Sequence, residues 1–235
     1  MLVGSGIGIA VGHRLPLRIR DTVTDALGLV TLLSAGLSAS DVTDPVLRDA
    51  VGDEAPVLIV LGAVVVGGII GSLVGVERRL ETVGGWLRDR LAGAGATGER
   101  QRFIEGFLTA SLVFCVGPLT ILGSLEDGFG NGSEQLILKS ILDGFASIAF
   151  AASFGIGVMA SALSVLIIQG SLTALAAALG SFVPEAHLLA LTATGGILLA
   201  GVSLRLLQVK AVPVGDLLPA LVVAPLLTEL VTIVR

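Results

Sequence analysis

Charge is scarce in this sequence. Of 235 residues only 14% are Asp, Glu, Lys or Arg, while 54% are hydrophobic; an ordinary soluble domain carries about 25% charge. A water-soluble fold of this composition would lack the charged side chains needed to cover its surface. Its mean hydropathy of +0.97 makes lipid the simplest place for the excess. The net charge of −5 decides nothing further, because the placement of Lys and Arg, not the bulk charge, orients a membrane protein. Cysteine is nearly missing: Cys115 stands alone in an apolar stretch, so no intrachain disulfide forms and the redox compartment stays unread. Catalytic patterns are missing too. There is no H-x-x-x-H, no G-x-S-x-G and no Walker loop, and Cys115 has no base near it in sequence. His13 and His187 lie far apart with no metal-ligand spacing. Gly128, Gly130 and Gly132 resemble a phosphate loop in composition only, with no strand before them. The expectation is therefore no enzyme, cofactor, metal or nucleic-acid partner. Residues 1–12 also lack the charged start and A-x-A site of a cleavable signal.

Long apolar runs are what the chain has instead. A span takes about 20 apolar residues, and the blocks 1–12, 22–40, 56–76, 103–125, 136–154, 155–178, 187–204 and 213–234 predict an all-α, polytopic transmembrane helical bundle of about eight spans in one membrane domain. The first is short. Twelve helical residues rise about 18 Å against about 30 Å of hydrocarbon, so either that helix is stunted or the start lies upstream of Met1, the reading preferred here. The run from Leu136 to Gly180 fits two spans with a glycine-rich turn at 153–157. An outside N-terminus puts His13–Arg20, Glu77–Arg102, the turn near Gly155 and Arg205–Lys210 inside. Arg48, Lys139 and Arg235 are then the only positive residues outside, leaving eleven of 14 Lys and Arg in the cytoplasm, as the positive-inside rule expects. The chain is thus read as a multi-pass protein of the inner or plasma membrane with a cytoplasmic, Arg-rich 77–102 loop.

Two self-similarities stand out. Gly4, Gly8 and Gly12 precede Arg14, and Gly67, Gly71 and Gly75 precede Arg78; a looser copy, Gly195, Gly196 and Gly201, precedes Arg205. Glycines four apart make a flat stripe that lets another backbone approach closely, within the chain or between copies in a homo-oligomer. The second repeat is acidic-Gly-Phe-x-[Thr/Ser]-x7-Gly: Glu105-Gly106-Phe107, Thr109 and Gly117 in the fourth span, Asp143-Gly144-Phe145, Ser147 and Gly155 in the fifth. The copies run antiparallel, the trace of an inverted-topology repeat. Twelve residues separate acid from last glycine in each, about 18 Å of helix, which predicts Gly117 and Gly155 near the bilayer middle. Pro118 has no N–H and displaces the partner of the Phe114 carbonyl. A broken helix at that depth is where transporters hold solutes and ions; a simple packed kink is the alternative.

The polar residues define a candidate pathway. Lys139, Asp143 and Ser147 are spaced i, i+4, i+8 on one face, and ionisable groups inside a span face the protein interior or a wet path. Asp143 pairs with Lys139 or stays neutral, as a gate or cation site, or else simply as an ion pair that orients the helix. Ser111 and Cys115 face together on the fourth span. Gln169, at the outer end of the sixth, contacts a neighbouring helix or a solute. Glu105 is read as a first-turn acid meeting the helix dipole at the cytoplasmic edge.

The run from Phe103 to Ala177 resembles a family. GFLTASLVFCVGPLTILGSLEDGFGN, followed by KSILDGFASIAFAASFGIGVMASALSVLIIQG, looks like the bacterial inner-membrane family called "domain of unknown function 554". GIGIAVGHRLPLRIRDTVTDALGLVTLL and GGILLAGVSLRLLQVKAVPVGDLLPAL are similar to it as well, so the likeness covers nearly the whole chain. Members carry further residues ahead of the segment matching Val3, a departure that touches only the first helix. The resemblance implies a multi-pass plasma membrane protein and supplies no substrate; some members are described as candidate transporters. From the residues themselves, the leading expectation is a secondary transporter or channel-like carrier of a small polar solute or ion. The competing one is a non-transporting scaffold or partner subunit. A carrier requires Asp143, Ser111 and the Pro118 break to converge on one polar cavity.

Overall fold

A computed structural model describes residues 1–12, 16–91, 97–116, 118–130, 132–179 and 184–234. His13, Arg14 and Gly117 lie outside them. The described residues form helices joined by short turns: α1 (Leu2–Gly12), α2 (Leu17–Ala39), α3 (Pro45–Val51), α4 (Ala55–Val74), α5 (Val76–Leu91), α6 (Thr97–Val116), α7 (Pro118–Gly128), α8 (Glu134–Phe154), α9 (Ile156–Leu179), α10 (Glu185–Leu206), α11 (Val214–Leu217) and α12 (Ala220–Val234). Among these residues, six helices are long and apolar enough to cross a membrane, or seven if the bent pair α6–α7 counts as one span. α1 is apolar but has 11 residues. This is an all-α membrane bundle, and its surface shows why. Leu73 is 83% exposed, and Leu58, Leu166, Leu226 and Ile233 also lie outward, the inverse of a soluble protein and what lipid contact demands.

The centre of the bundle is α10, whose Ala193, Leu198, Leu199 and Val202 are all buried. Small residues let its neighbours come close. A Cβ on Gly196 would strike the Ala39 nitrogen of α2 and stand 2.7 Å from the Ala35 carbonyl oxygen. Seven residues on, Ser203 donates to the Gly28 carbonyl at 2.7 Å, so α2 and α10 run antiparallel. α1 runs parallel to α8. Gly4 and Gly8 face the carbonyls of Gly144 and Ile148, and a Cβ on Gly12 would stand 2.7 Å from that of Ala152. Gly67 and Gly71 face the backbone of Ala220 and Asp216 on the antiparallel α11–α12 segment. These two stripes therefore pack within one chain. Gly8→Val should displace α1 from α8 at a cost of about 1–3 kcal/mol, typical of overpacking, measurable as a lower melting midpoint in detergent.

Four expectations need correction. Gly75 is not part of a packing stripe: a Cβ there meets nothing within 4 Å, and at φ +69° the residue caps α4 in the left-handed conformation, donating to the Gly71 carbonyl at 2.7 Å. Gly155 is not near mid-membrane. α8 runs unbroken for 21 residues, about 31 Å, and Gly155 (φ +78°) makes the turn at its far end. Glu105 is not in a first turn, because α6 begins at Thr97 and its first-turn acid is Glu99. The 77–102 stretch is not simply a loop. Its first part is the amphipathic helix α5, whose Leu87 packs against Phe103 and Phe107 while Trp86 stays exposed beneath the Arg90 guanidinium, 5.7 Å from the ring centre.

Candidate solute pathway

The α6–α7 break comes first. Pro118 opens α7, a first-turn position where its missing N–H costs nothing. The segments Gly98–Cys115 and Leu119–Gly128 are bent by 71°. The carbonyl of Phe114, which Pro118 cannot serve, accepts a hydrogen bond from the buried Thr120 hydroxyl at 2.7 Å. That bond is local and specific. Thr120→Val keeps the shape and removes the donor, and should cost about 1–3 kcal/mol for an unpaired buried carbonyl, read as a lower midpoint in detergent unfolding.

Beside the break lies a cavity of about 410 Å³, bounded by α2, α6, α7, α8 and α10, within the range of about 300–1,000 Å³ usual for small-molecule sites. Its polar lining is Thr31, Ser34 and Ser38 of α2, Thr120, and the Lys139–Asp143 pair of α8. The two side chains bond directly, one helical turn apart, with only 6% and 14% of their surface exposed. Asp143 is the tenth residue of α8, so it stands about 14 Å along a helix of about 31 Å. That is nearly halfway, because α8 begins at Glu134.

A second cavity, of about 640 Å³, lies at the other end of the same helices. It is lined by Asp21 and Thr24 of α2, Arg102, Glu105 and Thr109 of α6, Ser153 and Phe154 of α8, and Arg205, Gln208 and Lys210 around the end of α10. Arg102 donates twice to the Ser153 carbonyl, at 3.0 and 2.5 Å, covering one of the open carbonyls at the end of α8. Arg205 donates to Glu77 at 2.7 Å; Glu77 also accepts from the Gly215 nitrogen, and its own nitrogen donates to Asp216 at 2.8 Å. Glu77→Ala would strand Arg205 and loosen the α5–α10–α11 junction. Since the pair is partly exposed, the expected loss is small, about 1 kcal/mol, seen as a slightly lower midpoint.

Three aromatic rings stand between the cavities. Phe114 meets Phe150 edge to face at 5.7 Å, and Phe150 stacks on Phe154 at 6.3 Å. Phe114 and Phe150 line the first cavity and Phe154 the second.

The expected site residues divide. Lys139, Asp143 and the residues on either side of the break, Phe114 and Leu119, line the first cavity, and Glu105 lines the second. Ser111 turns away, its hydroxyl bonding Ser164 of α9 at 3.0 Å; Cys115 is buried and lines neither cavity. Ser147 is covered by α1 and donates to the Gly144 and Met1 carbonyls at 2.8 and 3.2 Å. Gln169 lines a separate groove among α1, α7, α8 and α9 that Lys139 and Asp143 also border. Sequence reading missed Thr31, Ser34 and Ser38, although their 3- and 4-residue spacing marks one face of α2. It also missed Thr120 and the three phenylalanines. Among the described residues no three His, Cys, Asp or Glu side chains are placed to hold a metal ion.

Apolar helices around buried cavities, the first mainly apolar with a few polar groups and the second mixed, define a multi-pass α-helical membrane protein. Residues 1–229 match the family model described as "Protein of unknown function (DUF554)", and the chain belongs to that family. It is 29% identical to the "Uncharacterized protein YqgA" of Escherichia coli over 95% of this chain and 90% of that one. To the "Uncharacterized membrane protein YdfK" of Bacillus subtilis it is 28% identical over 96% and 90%. No solved structure matches the chain.

Proposed function

We propose that this protein is a secondary carrier of a small polar solute or ion, without enzymatic activity, in the cell membrane. The observation that carries this reading is the alignment of two cavities along α2, α6, α8 and α10, the first holding the Lys139–Asp143 pair in a mostly apolar lining and the second more polar, with Phe114, Phe150 and Phe154 on their walls. Such a layout has parts that alternating access needs: an ion pair nearly halfway along α8 in one cavity, a second cavity beyond it and a thin barrier between the two.

The orientation is proposed with it. Arg102, Arg205 and Lys210 gather around the second cavity, which the positive-inside rule assigns to the cytoplasm; the first then faces outward and the N-terminus is outside. The inverted-repeat idea gains support from the two acids: Glu105 of one copy lines the inner cavity, Asp143 of the other the outer one. The copies differ in their backbone, since α6 stops at Val116 and α8 continues. A scaffold role draws less support, because the stripes at Gly4–Gly12 and Gly67–Gly71 are already occupied within the chain.

The test is flux in proteoliposomes over a panel of amino acids, sugars, organic acids and inorganic ions. The wild type should move at least one solute above empty vesicles, and Asp143→Asn should abolish that movement. If no solute moves, the carrier reading is wrong.

A further inference from the structure

We infer that the outer cavity takes a small zwitterion, a solute with an ammonium and a carboxylate on a largely apolar body; this rests on the carrier reading and narrows it. Among the described residues, the charged side chains lining the cavity are Lys139 and Asp143, bonded to each other and with 6% and 14% of their surface exposed. In so dry a place a solute of net charge would leave one charge unanswered, at a large cost in desolvation. An uncharged solute can hydrogen-bond both partners but brings no counter-charge to either. A zwitterion brings both: its carboxylate takes Lys139 while its ammonium takes Asp143, so every charge keeps a partner throughout. The remaining lining fits the same class. Thr31 and Ser38 supply hydroxyls that accept from an ammonium or donate to a carboxylate, while Leu27, Val113 and Leu199 offer an apolar wall for the body of the solute.

The experiment is binding to the purified full-length protein in nanodiscs by calorimetry and thermal shift, using L-leucine, isoamylamine and 4-methylpentanoate as probes. These share an apolar body and carry both charges, the ammonium alone and the carboxylate alone. Leucine should bind and raise the melting midpoint, and each single-charge analogue should bind at least about tenfold more weakly, a difference of about 1.4 kcal/mol. The double variant Lys139→Met/Asp143→Leu removes both charges together, a change folds commonly tolerate, and should lose leucine binding while keeping its elution profile. The inference is overturned if leucine does not bind, if an analogue binds as well, or if the double variant retains affinity. Flux of some other solute alongside that result would leave the carrier reading standing; absence of all flux would remove both.

Discussion

Phe150→Ala should convert a closed barrier into a leak. Phe150 is 1% exposed, touches both other rings of the layer and lines the 410 Å³ space, while Phe154 lines the 640 Å³ one, so its removal should join the two. Passive permeation of small ions and water through reconstituted protein, followed by vesicle swelling or potential decay, should rise roughly tenfold or more, as about 1.4 kcal/mol off the barrier would give. The same truncation costs about 3–5 kcal/mol of packing, so Phe150→Leu, which keeps more volume, serves as the milder companion. It should leak less and fold nearly normally. A folded Phe150→Ala protein as tight as wild type would mean that the rings do not separate two connected spaces.

The second large effect is at the ion pair. Asp143→Ala leaves the Lys139 ammonium buried without its partner, and such half-removals cost about 3–5 kcal/mol. Removing both charges in Lys139→Met/Asp143→Leu should restore most of that stability, because an apolar replacement of a buried pair is often neutral or better. Function should follow the opposite order from stability: the double variant melts close to wild type and transports nothing. Melting midpoints in detergent and flux in vesicles, measured on the same preparations, give the comparison. Transport by the double variant would show that the pair is only a strut.

Much of this was legible from sequence because membrane helices announce themselves. Block length and hydropathy locate α4, α8, α9, α10 and the α11–α12 segment to within a few residues, and glycines four apart identify which face of α1 meets α8. Pro118 marks the break in the fourth span, since a residue without an N–H cannot continue the ladder. The i, i+4 spacing of Lys139 and Asp143 gives their contact directly. What was not legible is whatever depends on how helices rotate against each other. Ser111 is on an inward helix and still turns to Ser164 of α9 rather than to the cavity. Thr31, Ser34 and Ser38 matter only because α2 presents that face to α8 and the break. Gly155 falls at the far end of α8 and not at its middle because the run of about 18 Å starts from Asp143, itself the tenth residue of the helix and not its first. α5 was passed over because its charges resemble those of a loop, although its apolar face has helical period.

The central claim is that the two cavities open to opposite sides of the membrane. Its most direct measurement uses a Cys115→Ala background, single cysteines at Thr31 and Thr109, and a membrane-impermeant thiol reagent applied to intact cells or to inverted vesicles. Thr31→Cys should react only from outside and Thr109→Cys only from the cytoplasmic face. Labelling of both from the same side, or of neither from any side, would contradict the account.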